Sequence, residues 1–316
     1  MIEKAMPEEV GRVAEDEDGR LLVNPAMKIV RANADEIFVE VGSRSRMTHR
    51  IEDSQARGGL ADFVSRFRSP QDPEVVAAEL GLESGTAAEY IEHLIEGRVL
   101  IPAHQARYSY LVSGFGWDPG ARPATVAIAG AGRIAENVAW QLSELLTESP
   151  QRHENVATAF DGADLVVVAS DRPNPGLCYD ADELAQAMGT PWHLTYFDGF
   201  ELMVGPTFRP GASANYYDFD SMNEAARVMR TPYLYGRFAR AELEPTAELP
   251  AFMAAQAASW TVIAIAQHLW GQGSFLEGYV MRIDLERMEV MKDRVLRLPR
   301  NPVDMGARID LRHPFL

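Results

Sequence analysis

The sequence predicts two domains of different class: an α+β winged-helix-turn-helix module, then an α/β Rossmann-like domain. Three observations carry this. The 316 residues exceed what one ordinary domain needs. Hydrophobic periodicity changes character near Pro102, from strands followed by helices to alternating strand and helix. A Gly-x-Gly turn, Gly130 to Gly132, then opens a helix directly after a β-rich run. With 47% hydrophobic and 24% charged residues the composition is that of a folded chain, which excludes collagenous and wholly disordered classes.

Along the chain, residues 1–20 carry seven acidic side chains and no apolar run. They read as a disordered acidic lead-in and not a secretory signal. The module spans 21–103. Alternating runs at Met27–Val30, Ile37–Val41 and Met47–Ile51 predict three strands. Helices are expected at Leu60–Phe67, at Pro73–Leu80 with proline in the first turn, and at Thr86–Glu96, stopped by Gly97. Val99–Ile101 resumes an extended strand as a wing. The helix-turn-helix outline makes a transcription regulator one reading. However, the third helix holds Glu89, Glu92 and Glu96 with no Lys or Arg, and DNA contacts need those cations. Acidic residues outnumber basic ones 46 to 30, a formal charge of -16, which argues against nucleic acid and anionic membranes as partners.

Residues 104–122 read as a linker, and 123–316 as the α/β domain. Gly130-Ala131-Gly132 precedes a helix with Ile134, Val138, Leu142 and Leu145 at helical spacing, and alanine at the third glycine position, Ala135, still packs closely. A dinucleotide site would next need a strand ending in Asp or Glu. The segment 147–160 shows at most a short strand at Val156–Phe160, so the ribose carboxylate has no clear home. Further elements are expected at Ala163–Ala169, Asp180–Met188, Pro191–Tyr196, Asp220–Arg230, Phe252–Leu269, Gly278–Asp284 and Val295–Leu298. The apolar stretch 250–271 is interrupted by Gln256, Ser259, Thr261, Gln267 and His268, which predicts a core helix and not a membrane span. A single cysteine, Cys178, forms no intramolecular disulfide and suits a reducing, cytoplasmic compartment. No base stands beside it, so it reads as an inert thiol. The seven histidines show no metal-binding spacing.

Four segments resemble a known family: VAIAGAGRIA at 126–135, DLVVVASDRPNP at 164–175, VGPTFRPGASANYYDF at 204–219 and VLRLPRNPVD at 295–304. The chain is similar to the leader-peptide-binding partner proteins of azoline-forming peptide biosynthesis (TOMM RiPP pathways). In these a winged-helix RiPP recognition element is joined to a ThiF/E1-like domain and works with a YcaO cyclodehydratase. The resemblance implies a cytoplasmic, non-catalytic scaffold that captures a precursor leader peptide in bacteriocin or thiopeptide maturation. It implies no cofactor of the chain's own, with ATP held by the YcaO partner, and a homodimer as one possible assembly. It also implies that a peptide adds to the module's third strand, beside its third helix. The peptide-binding candidates are Met47, His49, Ile51, Tyr90, Ile91, Leu94 and Ile95, of which some must face the module's own core.

By the same resemblance, the family's four zinc cysteines fall at Asn215, Asp218, Asn301 and Asp304, so no structural zinc is expected. Two readings remain for these Asn-x-x-Asp loops: a hydrogen-bonded or solvated pair, or a site for a hard cation. Asp171 falls on the family's magnesium-linked aspartate, beside Arg172 and Asn174. With Gly130 and Gly132 it would mark a degenerate nucleotide pocket, since no lysine lies near. The alternative function is an E1-like ATP-dependent adenylating enzyme acting on a peptide.

Overall fold

The computed structural model describes residues 19–42, 48–117, 119, 122–229, 231–234, 248–271 and 273–299. The chain divides into two compact units, 1–118 and 119–316.

In the first unit, β1 (Leu21–Val23) pairs antiparallel with β5 (Leu100–Pro102). A separate antiparallel sheet has the order β2 (Lys28–Arg31), β3 (Glu36–Glu40), β4 (Thr48–Glu52). Period-two alternation puts Ile37 and Val39 of β3 at 1% and 0% exposure, and the residues between them on the outer face. Three helices cover the inner face: α1 (Leu60–Arg66), α2 (Pro73–Glu79) and α3 (Ser84–Glu96). Asp72 caps α2 by accepting from the Glu74 amide, with Pro73 in the first helical position as the sequence predicts. The core gathers Ile37, Val39, Phe63, Phe67, Tyr90 and Leu94, with Phe63 edge-on to Phe67 at 5.1 Å.

The expected linker is largely helical. Residues Ala103–Tyr108 form a 3-10 turn and Ser109–Phe115 form α4. Buried Asn24 donates to Ser113 Oγ at 2.7 Å and to the Arg98 carbonyl at 2.9 Å, which ties α4 to the start of the module. No loop chemistry marks this segment, and its burial depends on partners some ninety residues away.

The second unit holds a seven-stranded sheet in the order β12-β11-β10-β9-β8-β6-β7. Strands β7 (Gln151–His153), β6 (Val126–Ala129), β8 (Leu165–Ser170) and β9 (Trp192–Asp198) run parallel. Strands β10 (Glu201–Phe208), β11 (Tyr279–Asp284) and β12 (Glu289–Arg294) extend the sheet antiparallel. Helices α5 (Arg133–Ser143) and α9 (Ala251–Trp270) pack together against the sheet. Helices α6 (Val156–Ala159), α7 (Pro175–Met188) and α8 (Tyr216–Ala226) cover strand residues Val166, Val168, Trp192, Leu194 and Tyr196. The central strands are buried on both faces, as a parallel sheet requires.

Three expectations for this unit are corrected. Val156–Ala159 is a helix, capped by the Asn155 side chain, and the second strand lies just before it at Gln151–His153. The stretch from Pro206 to Pro210, expected from the sequence as a loop, is strand β10 up to Phe208. Helix α8 begins at Tyr216 and not at Asp220. Helix α9 buries nine residues, as expected of a core helix, and among the described residues no helix is long and apolar enough to cross a membrane.

Candidate functional site

β4 is an edge strand among the described residues: β3 occupies one side and the other carries backbone groups without a neighbouring strand. Between this edge and α3 lies a groove of about 410 Å³. His49 and Ile51 face it from β4, because their register partners Val39 and Ile37 are the inward residues of β3. Glu89, His93 and Glu96 face it from α3 at the i, i+4, i+7 spacing of one helical stripe, joined by Tyr90 and Gly97. Leu60 contributes to its floor.

One end of the groove is locked by a buried carboxylate. The Asp53 side chain, 1% exposed, accepts from Arg57 Nε at 2.9 Å, from Arg57 Nη2 at 3.0 Å and from the Tyr90 hydroxyl at 2.7 Å. Backbone amides of Gln55 and Arg57 complete its shell at 3.0 and 3.1 Å. These bonds, led by the Arg57 guanidinium, hold its carboxyl well below the usual carboxylate range despite burial. Burial, then the adjacent carboxylate, pushes the Tyr90 hydroxyl up to about 12, so it acts as a donor and not as an acid. Arg57 also pairs with Glu89 at 2.7 Å and lies 5.2 Å from the Tyr90 ring centroid.

The opposite end is open because residue 97 is glycine. A Cβ there would lie 3.3 Å from Ile51 Cδ1 and 3.4 Å from His49 Nε2. Helix α3 thus runs antiparallel to β4, with Gly97 against His49 and Tyr90 against Asp53.

Of the seven peptide-binding candidates, the structure brings three to the groove: His49, Ile51 and Tyr90. Met47 lies outside the described residues. Leu94 is fully buried in the module core, Ile91 is partly buried against it, and Ile95 is 44% exposed away from the groove lining. The apolar stripe of α3 is what packs the helix down, so its polar flank is what borders the groove. Sequence reasoning missed Arg57, Glu89, His93 and Glu96. The signal for them was the polar i, i+4, i+7 stripe itself, together with the Asp53-x-x-x-Arg57 spacing.

In the second unit, Gly130 (φ 125°) and Gly132 (φ 101°) make the tight turn before α5. A Cβ on Gly130 would fall 2.1 Å from the Ala169 carbonyl oxygen, and one on Gly132 would fall 2.6 Å from the Asp171 carboxyl carbon. Asp171 Oδ2 accepts from the Arg133 amide at 3.0 Å and Oδ1 from the Ile134 amide at 2.9 Å. A carboxylate of the chain itself therefore takes the first-turn amides of α5, the position that a bound phosphate uses in Rossmann-type sites. The strand that follows α5 is β7, which ends at His153. The Gly130 amide approaches the His153 carbonyl at 3.4 Å, so exposed Glu154 emerges from β7 beside the glycine turn.

Asn215 and Asp218 form a capping box at the start of α8. The Asn215 side chain accepts from the Asp218 amide at 3.0 Å, and Asp218 Oδ2 accepts from the Asn215 amide at 3.2 Å. Asp218 Oδ1 accepts from the Leu298 amide at 2.9 Å, which brings the 295–299 segment to the same place. Asn301 and Asp304 lie outside the described residues. Among the described residues, no group of three or more His, Cys, Asp and Glu is placed to hold a metal. Cys178 is buried at 3% exposure and desolvation pushes its thiol far up, which leaves no nucleophilic thiolate there.

No family model matches the sequence, and no curated protein matches it. Solved structures do share its fold. The heterocyclase TruD superposes with a TM-score of 0.61 at 19% identity, over 90% of this chain and 42% of TruD. A heterocyclase in complex with substrate and cofactor gives 0.65 at 14% identity, over 90% and 39%. MccB of E. coli, with SeMet MccA, gives 0.51 at 14%, over 90% and 99%. The chain spans about two fifths of the length of the two heterocyclases. It shares the fold of these heterocyclase and MccB structures.

Proposed function

We propose that this chain is a leader-peptide-binding, non-catalytic scaffold subunit that presents a ribosomal precursor peptide to a YcaO cyclodehydratase for azoline formation. The observation that carries this reading is the groove of about 410 Å³ between the free edge of β4 and α3. A free strand edge offers main-chain hydrogen bonds to an extended peptide, and the flanking helix offers pockets to alternate side chains. In this reading the first unit is a winged-helix recognition element. The second is a docking platform whose α5 amides are satisfied by Asp171 and need no nucleotide. The shared fold with two heterocyclases supports the assignment. More than half of each of those chains lies outside the match, and there the reading places the work of the cyclodehydratase partner.

The test is fluorescence polarisation of a labelled leader peptide, from a short reading frame beside this one, titrated with the full-length chain. Binding near micromolar, weakened at least about tenfold by His49→Asp or Ile51→Arg, is expected. Absence of binding, or equal binding by both variants, would overturn the reading.

A second reading, an E1-like ATP-dependent adenylating enzyme, has one observation in its favour: Glu154 stands at the end of β7 where a ribose hydroxyl would be bound. It requires saturable ATP binding that Glu154→Ala abolishes. The scaffold reading expects none.

A further inference from the structure

We infer that the groove between β4 and α3 selects an extended peptide carrying a Lys or Arg side chain two residues from an apolar one, with Glu96 as the residue that reads the cation. This rests on the peptide-groove reading and adds the chemistry of the occupant. Four carboxylates line the groove: Glu52, Asp53, Glu89 and Glu96. Three already have an arginine partner. Asp53 and Glu89 share Arg57, and Glu52 is held by Arg50 at 3.0 Å. Arg50 is in turn held by Glu36. Glu96 is exposed in the last turn of α3, with no cationic partner among the described residues.

An acidic residue at a helix C-terminus is also unfavourably placed against the helix dipole, so a cation brought to it relieves two repulsions at once. Among the described residues both arginines of the groove are engaged by carboxylates, so an acidic peptide would meet Glu96 with no free guanidinium among them to offset it. The apolar part of the lining is made by Ile51, Leu60 and the Tyr90 ring.

The spacing follows from the two elements. Inward-facing positions of a strand recur every second residue, about 6.6 Å apart. A side chain of the added strand opposite Ile51 meets the apolar floor. The next inward one, opposite His49, reaches the end of the groove where Gly97 and Glu96 stand. The recognised pattern is therefore an apolar residue and a cationic residue two apart in an extended segment.

The experiment titrates the full-length chain into three fluorescein-labelled peptides of one extended, Thr/Val-rich background. Each has a central leucine, with Lys, Gln or Glu placed two residues to both sides. The Lys peptide is expected to bind about fivefold more tightly than the Gln peptide, with the Glu peptide weaker still. Glu96→Gln should erase the difference and Glu96→Lys should invert it; both changes sit on an exposed surface, and circular dichroism checks the fold. Equal binding of all three peptides, lost on Ile51→Arg, would overturn the charge selection while leaving the groove as a peptide site. No binding by any of them, or binding that ignores Ile51→Arg, would overturn the groove reading and this inference with it.

Discussion

Asp53 is the residue on which the groove's architecture depends. It accepts five hydrogen bonds, from two backbone amides, two guanidinium nitrogens and the Tyr90 hydroxyl, and these connect the end of β4 to α3. Asp53→Ala should destabilise the first unit by about 3 kcal/mol, since it removes the buried partner of the Arg57 guanidinium and leaves the Tyr90 hydroxyl unpaired. Tyr90→Phe should cost about 1 kcal/mol, because the ring stays packed against Phe63. Urea unfolding followed by circular dichroism separates the two. At Asp171 the expected outcome of Asp171→Ala is a loss of about 1 kcal/mol from exposing the α5 amides, read in the same assay, with no change in peptide affinity. A fall in peptide affinity would mean that the glycine turn and the groove are coupled.

At the scale of elements, α3 shows why a residue list made from periodicity misplaces a binding face. Tyr90 and Leu94 are the buried stripe, and the helix presents to the groove the residues one step round, Glu89, His93 and Glu96. The C-cap Gly97 has an ordinary φ of -72°, so its smallness, and not backbone freedom, is what matters. Gly97→Val would press its side chain toward Ile51 and His49 and close the open end of the groove. We expect peptide affinity to fall at least about tenfold, while the melting temperature drops by only a few degrees. The short strand β7 makes the complementary point. Three residues, Gln151–His153, gave too little alternation to be read as a strand, yet pairing with β6 is enough to set Glu154 beside the glycine turn.

Across the whole molecule, the two units carry different acid sensitivities. His193 on β9 is fully buried, its Nδ1 at 2.8 Å from Thr207 Oγ1, and burial followed by the nearby His268 lowers it to about 3. In the unfolded chain histidine titrates near 6.5, so between those values the unfolded state binds the extra proton and stability falls as pH falls. The contribution of His193 should reach about 1.4 kcal/mol lost per pH unit below roughly pH 6. Asp53 works in a lower window. Its folded value is depressed, so the stability it provides is complete above the ordinary aspartate range, near 4, and is lost only as pH falls below that. Thermal unfolding between neutral pH and about pH 4 should therefore weaken the second unit before the first, and His193→Gln should flatten the pH slope of the second unit alone.

The sequence by itself determined the order of most elements, the glycine turn and the proline that starts α2. These depend on neighbours within a few residues, where periodicity and cap chemistry act. The family resemblance pointed to His49, Ile51 and Tyr90, which the structure places at the groove. Only the tertiary structure decided which flank of α3 meets β4, that Asp171 closes over the α5 amides, that Asn215 and Asp218 cap α8, and that α4 belongs to the first unit. Each of those joins groups far apart in the chain, or sets one local reading of a residue against another. The outcome depends on which polar groups lose their water together, a property of the packed molecule that no local pattern encodes.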